Sequence, residues 1–275
     1  MNKSRFTHEF AIEAYGVRIN IRTTSADADA AIRAILADHL PNGSRDVPVT
    51  VSEPNFYYVW NASSRDSVYD DDGPLLTRTE RPWVLDRLGS RVRLAVAERA
   101  VDRVFVHAGV VGWKGMGIVI PAESFSGKTA LVVELIKLGA TYYSDEYAVF
   151  DRNGLIEPFH KKLSVRGEID RYRQVDHSVE EMGGKFGHEN IMPELILFSK
   201  YRPGGRWRPV ELSSGRGLME LIKNAVSIRF DPRLCLSVLG GVSDRALFVK
   251  SARGEAARAA PLMIEYLERR RNKMA

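Results

Sequence analysis

At 275 residues, with 44% hydrophobic and 27% charged residues, the chain can bury a core as one large domain or two small ones without disulfides or a structural metal. Its single cysteine, Cys235, excludes an internal disulfide and a thiolate metal cluster, and reads as a small buried apolar residue in a reducing compartment. The net charge of +5 is scattered, and its one dense cluster, Arg269 to Arg271 with Lys273, closes a predicted helix where cations suit the helix dipole, so nucleic acid is not an expected partner.

The basic N-terminus, MNKSRFTHEF, lacks the apolar run and small-residue cleavage site of a secretory signal. No run approaches the ~18 apolar residues of a membrane span. The expectation is a cytoplasmic protein with no membrane partner. Self-association into a homo-oligomer is compatible with the sequence and not specified by it.

The alternation Val17-Arg18-Ile19-Asn20-Ile21 predicts a strand, followed by an amphipathic helix from Ala26 to Leu40 that Ser25 can cap. Strands are expected at Val49 to Val51 and Phe56 to Trp60. Ser63 to Pro74, with Asp66, Asp70, Asp71, Asp72 and Gly73, reads as a solvated polar loop. Residues 81 to 100 predict a helix with Trp83, Leu85, Leu88, Val92 and Val96 on its apolar face, although Gly89 lies inside it. Residues 1–95 are thus expected to form a smaller N-terminal α+β region, and residues 96–275 an α/β domain.

From residue 103 short apolar runs alternate with helix, the texture of strands buried on both faces. Strands are predicted at Val104 to His107, Val110 to Trp113, Gly117 to Pro121, Thr141 to Tyr143 and Tyr147 to Asp151. A helix over Lys128 to Leu138 is closed by Gly139, a turn falls at Asn153-Gly154, and the clearest later helices are Leu218 to Asn224 and Pro261 to Arg270.

Within this region, Ala122-Glu123-Ser124-Phe125-Ser126-Gly127-Lys128-Thr129 lies between a predicted strand and a predicted helix, the context of a phosphate-binding P-loop. Backbone N–H groups of such a loop and the positive end of the helix suit phosphate oxygens. Gly127 allows close backbone approach, Lys128 reaches the β- and γ-phosphates of ATP, and the Thr129 hydroxyl is available to Mg²⁺. The strict motif begins with Gly where this chain has Ala122, a change that a negative φ accommodates.

After one helix and one strand come Ser144-Asp145-Glu146. Ligands of open α/β sheets bind at the C-terminal ends of strands, where two adjacent carboxylates can divide metal binding and proton acceptance between them. His107 ends an apolar run before Ala108-Gly109 and is open to a structural or a functional role. Arg202, Arg206 and Arg208 are available to stabilise phosphoryl charge, and Glu180 to Asn190 reads equally as a substrate-side flap or a surface loop.

His107-Ala-Gly, Pro121-Ala-Glu-Ser-Phe-Ser-Gly-Lys-Thr129, Tyr143-Ser-Asp-Glu146 and Leu163-Ser-Val-Arg-Gly167 together resemble the HPr kinase/phosphorylase catalytic domain, and more closely its diverged relatives, which include the kinases of lasso-peptide precursors. That group shares its core with ATP-dependent phosphoenolpyruvate carboxykinases. The resemblance covers roughly residues 103–170. It implies ATP-dependent phosphorylation of a serine in a peptide or small protein, a ribosomally made precursor being one such acceptor, with Asp145 as base. By position Lys128 and Thr129 match the family's nucleotide and metal residues, Asp145 and Glu146 its paired carboxylates, His107 its motif histidine and Arg166 the arginine of its later signature. Where that signature has an acidic residue two places before the arginine, this chain has Ser164, which moves the expectation away from HPr itself. A small-molecule kinase and a non-catalytic nucleotide-binding protein are the alternatives.

Overall fold

The computed structural model describes residues 5–51, 54–122, 126–166 and 174–274. The chain forms two compact units, Met1–Val101 and Asp102–Ala275. The division lies slightly beyond the expected boundary at 95/96 because the first unit's last helix runs to Arg99 and Val101 N–H still donates to the Tyr15 carbonyl at 2.9 Å.

The first unit comprises β1 (His8–Ala14), β2 (Val17–Thr23), α1 (Ala28–His39), β3 (Arg45–Val47), β4 (Asn55–Val59), β5 (Arg65–Asp70), β6 (Gly73–Glu80) and α2 (Arg81–Arg99). Its sheet has the order β3-β1-β2-β4-β5-β6, antiparallel except for β2 beside β4. Tyr15 and Gly16 join β1 to β2 at positive φ, 50° and 76°, the conformation whose twist matches two paired strands. Ile19, Ile21, Ile32, Leu36, Val84, Leu88 and Val92 fill the core.

Four local expectations are corrected here. The acidic segment 63–74 is no loop: it supplies β5 and the start of β6, and Asp66 is fully buried, accepting from Tyr58 Oη (2.6 Å), Asn61 N (2.8 Å) and Arg81 Nε (2.8 Å). A carboxylate satisfied from three sides is indistinguishable in sequence from a solvated one. Ser25 does not cap α1; its Oγ accepts from Asp27 N–H at 3.2 Å, two residues ahead of the N-cap position that Asp27 itself takes. The strand expected at Val49 to Val51 lies instead at β3, and the Thr50 carbonyl accepts from the Asn20 side chain at 2.6 Å. Trp83 is 62% exposed, and Val84 takes the core position.

Gly89 has a packing reason. A Cβ there would sit 2.5 Å from the His39 ring, so the glycine lets α1 and α2 approach. Gly89→Ala is expected to lower stability by about 1–2 kcal/mol, the clash outweighing the ~1 kcal/mol helix-propensity gain. Gly241→Ala in the second unit, where an added Cβ meets nothing within 4 Å, should gain up to ~1 kcal/mol. Chemical denaturation of both variants checks the opposite signs.

The second unit contains β7 (Val104–Trp113), β8 (Met116–Pro121), α3 (Lys128–Lys137), β9 (Thr141–Ser144), β10 (Tyr147–Phe150), β11 (Ile156–Glu157), β12 (Leu163–Arg166), β13 (Gln174–His177), β14 (Lys185–Phe186), β15 (Pro193–Tyr201), β16 (Val210–Leu212), α4 (Ser214–Ile222), α5 (Pro232–Ser243), β17 (Leu247–Arg253) and α6 (Ala256–Met274). The sheet runs β11-β10-β7-β8-β15-β17-β16, with β9 also beside β7 and β14 beside β9, while β12 and β13 pair separately. Ile118 and Leu195 pack with Leu131 of α3 and Met263 of α6 on one face. Val119 and Ile196 pack with Leu221 of α4 and Val238 of α5 on the other. Both faces are covered by helix, which gives the α/β class expected.

The two strands expected over 104–113 are one, because Ala108-Gly109 does not break it. The last helix begins at Ala256, with Pro261 in its second turn, where the missing N–H forgoes one bond. Cys235 is fully buried, its Sγ 3.2 Å from Ser227 Oγ. No helix among the described residues is long and apolar enough to cross a membrane.

Candidate phosphate and carboxylate site

The strand directions assemble the site. β8, β15 and β17 are parallel, and β9 runs antiparallel to β7 as β8 does, so the C-terminal ends of β8, β9, β15 and β17 share one edge of the sheet. β7 lies between β8 and β9, which sets the strand leading into Gly127-Lys128-Thr129 and the strand leading into Asp145-Glu146 two interstrand spacings apart, about 10 Å. Ala108 is registered with Pro121 and Val110 with Ser144, which brings His107 to the level of Ala122 and of Asp145-Glu146.

After β8, Ala122 is buried and its N–H donates to the His107 carbonyl at 3.3 Å. Gly127, at φ 83°, is the N-cap of α3. This is left-handed geometry that an L-residue adopts only with strain. Its carbonyl accepts from Leu131 N–H at 3.2 Å, opening the helix. Glu123, Ser124 and Phe125 lie outside the described residues.

Lys128 is 9% exposed, and its Nζ lies 3.0 Å from His107 Nε2. With the ammonium charged, Nε2 has to accept, which puts the imidazole proton on Nδ1. The lysine stem runs over Gly109, where a Cβ would stand 3.2 Å from Lys128 Cγ and 2.6 Å from Val132 Cγ2. The His-Ala-Gly triplet is thereby explained physically: the histidine meets the amine and the glycine makes room for the chain that carries it. Burial pulls the Lys128 ammonium down to about 8, against the opposing pull of Glu146 and Asp145.

β9 and β10 lie in line along one edge of β7, interrupted at Asp145-Glu146, and Ala108 N–H donates to the Glu146 carbonyl at 3.2 Å inside that break. Ser144 Oγ accepts from the N–H groups of Glu146 (3.1 Å) and Tyr147 (3.0 Å), fixing the turn. The carboxylates therefore sit in a gap of a strand line rather than on a free turn.

Asp145 is 7% exposed. Thr129 Oγ1 lies 3.5 Å from its Oδ2, and Tyr142 Oη lies 3.2 Å from its Oδ1 and 2.7 Å from the Lys161 carbonyl. A phenol has one proton to give, so when it goes to the carbonyl the aspartate contact is satisfied by a protonated carboxyl. Burial raises the Asp145 carboxyl from 3.8 to about 6; Glu146 adds to this, while Lys161, Lys128 and Tyr142 oppose it.

No protein-family model and no curated protein matches the chain. Among the described residues no three His, Cys, Asp or Glu side chains cluster as a self-contained metal centre. A P-loop Mg²⁺ site does not need one, because substrate phosphates and water complete its octahedron. The Thr129 hydroxyl, which lies beside Asp145, and the Glu146 carboxylate next to it in sequence are the hard oxygen donors such an ion takes, so the residues fit it.

Other expected positions fall out differently. Arg166 ends β12, registered with Gln174; Gly167 lies outside the described residues. The segment 180–190 is held at its middle, where β14 pairs with β9 and Cβ atoms at Gly184 and Gly187 would stand 2.4 Å from Ile136 and 2.2 Å from the Tyr143 ring, while its two ends are exposed. Two basic residues that sequence reading passed over belong to the site. Lys161 acts electrostatically on both Lys128 and Asp145. Arg253, rather than Arg202, Arg206 or Arg208, meets the loop before α3, its Nη2 donating to the Gly127 carbonyl at 2.6 Å. The available signal was an Arg-Gly closing an apolar strand and preceding a helix.

The raised Asp145 pKa has a stability consequence. A native-state pKa above the unfolded one contributes stability that is full below about pH 4 and lost as pH rises through about 6, by up to about 3 kcal/mol. Urea unfolding of the metal-free protein and of Asp145→Asn from pH 4 to 7 should show the wild type losing that much relative to the variant. A difference that stays constant over this range removes the assignment.

Proposed function

We propose that the chain is an ATP-dependent kinase of the HPr kinase-like type that phosphorylates a serine hydroxyl of a peptide or small protein. The observation that carries this reading is the convergence of Lys128, Thr129 and Asp145 at one sheet edge, with Thr129 Oγ1 3.5 Å from Asp145 Oδ2. The HPr kinase-like motifs supply the acceptor class.

In this mechanism the backbone N–H groups at the start of α3 and the Lys128 ammonium bind the terminal phosphates, in a partly dry site where a charge counts for more than in water. His107 holds the Lys128 amine in place, and Gly109 gives its stem room. Thr129 and Glu146 would hold Mg²⁺, which when bound neutralises phosphate charge. Asp145 accepts the proton of the serine hydroxyl as its oxygen attacks the γ-phosphorus; the bond to the β-phosphate oxygen breaks, and ADP and phosphoserine result. With a pKa near 6, Asp145 is largely ionised at neutral pH yet basic enough to take the proton.

Asp145→Asn is expected to keep ATP affinity and lose on the order of 10³-fold in transfer rate. Lys128→Met should lose nucleotide binding itself. Incubation with γ-labelled ATP, followed by separation of acceptors by size, should place the label on serine in the peptide fraction. Undiminished transfer by Asp145→Asn would remove the base. Label confined to small molecules would replace the acceptor, and ATP binding without transfer to any fraction would leave a nucleotide-binding protein in place of a kinase.

A further inference from the structure

Arg253 ends β17, two strands away from β8 across β15, and its guanidinium crosses to the loop that follows β8. It is 2% exposed. Nη2 donates to the Gly127 carbonyl at 2.6 Å and Nη1 to the Gly254 carbonyl at 2.9 Å, while Nε is buried with no hydrogen-bond partner among the described residues. Only a glycine at 127 permits the approach, since a Cβ there would stand 2.6 Å from Nη2. The Tyr201 ring lies 5.7 Å from the guanidinium carbon, and the tyrosine hydroxyl is turned to Glu255 at 2.9 Å.

Two features set this arginine apart from a structural one. First, among the described residues no carboxylate bonds to it, and carbonyl oxygens satisfy N–H groups without neutralising a charge. A buried cation with no directly bonded counter-ion is costly, and burial weakens the hold of Arg253 on its proton, an effect that the more distant Glu255 carboxylate and Tyr201 oppose only in part. Second, the carbonyl it grips belongs to the peptide between Gly127 and Lys128. In a planar trans peptide the C=O and N–H point in opposite directions, so a carbonyl held toward the helix turns the Lys128 N–H outward to the phosphate side.

We infer that Arg253 is the positioning residue of the phosphate loop: it fixes the Gly127–Lys128 peptide for anion binding and draws its own charge compensation from the bound polyphosphate. This rests on the phosphate-loop reading of the preceding section. It implies that a buried charge which Glu255 compensates only at a distance is relieved further by polyphosphate, so affinity resides in the phosphates rather than in the nucleoside.

The test is calorimetric binding of ATP, inorganic tripolyphosphate and adenosine to the full-length protein, to Arg253→Met and Arg253→Lys, and to Lys128→Met as reference, with circular dichroism as the control for folding. Arg253→Met should weaken ATP and tripolyphosphate by on the order of 30-fold and leave adenosine unchanged. Arg253→Lys, which keeps the charge but cannot hold two carbonyls in a fork, should recover part of the loss. A folded Arg253 variant that binds tripolyphosphate as the wild type does, while Lys128→Met does not, overturns the inference and leaves the phosphate loop standing. Failure of the wild type to bind either phosphate ligand removes the phosphate loop, and the inference with it. Equal losses for adenosine and tripolyphosphate, or loss of fold in both Arg253 variants, make Arg253 a structural residue and overturn the inference alone.

Discussion

The second unit is organised around one amine. Lys128 Nζ sits 3.0 Å from His107 Nε2 across a strand that has to be bare at Gly109 for the lysine to pass. That contact needs β7 between β8 and β9, and it needs the register that levels His107 with Ala122 on one side and Asp145-Glu146 on the other. A lysine drawn down into the protein keeps its charge only if something nearby favours it, and Asp145 and Glu146 do so. They sit across the same strand and cannot be separated from it without breaking the line formed by β9 and β10.

The electrostatics of the site follow from burial more than from pairing. Lys128, Asp145 and Arg253 are each nine-tenths or more covered, and each is shifted by desolvation before any partner acts. The ionised forms of such a site are costly in isolation, and on the proposed function they would be relieved when a polyanion brings charge to the cations and an acceptor hydroxyl meets the carboxylate. The hydrogen bonds of Tyr142 and Ser144 to their surroundings hold the carboxylate turn in position beforehand, so binding spends little on ordering it.

Much of this was legible in the sequence, for identifiable reasons. The strands β7, β8, β9 and β10 and the helix α3 announce themselves because strands buried on both faces read as unbroken apolar runs, and Gly127-Lys128-Thr129 marks the helix start between them. The hairpin of β5 and β6 was hidden because Asp66 is a buried acid with three donors, and a sequence shows the acid without the donors. Arg253 and Lys161 were hidden because their roles depend on which strands lie side by side. Arg253 is 126 residues from the glycine it holds, and nothing local indicates the crossing. Periodicity reports which face is buried, not who the neighbour is.

Gly109 carries no functional group, and its position in mid-strand would ordinarily count as a defect. Any side chain there would be driven into the Lys128 stem and the Val132 methyl, so the residue controls where an amine ends up without ever approaching a ligand. If the proposed function holds, a saturation-mutagenesis screen scored on it would place position 109 beside 128 and 145, and the glycine would be mistaken for a participant in the reaction. Intolerance at that position reflects steric permission, and it is the missing side chain that selection would be protecting.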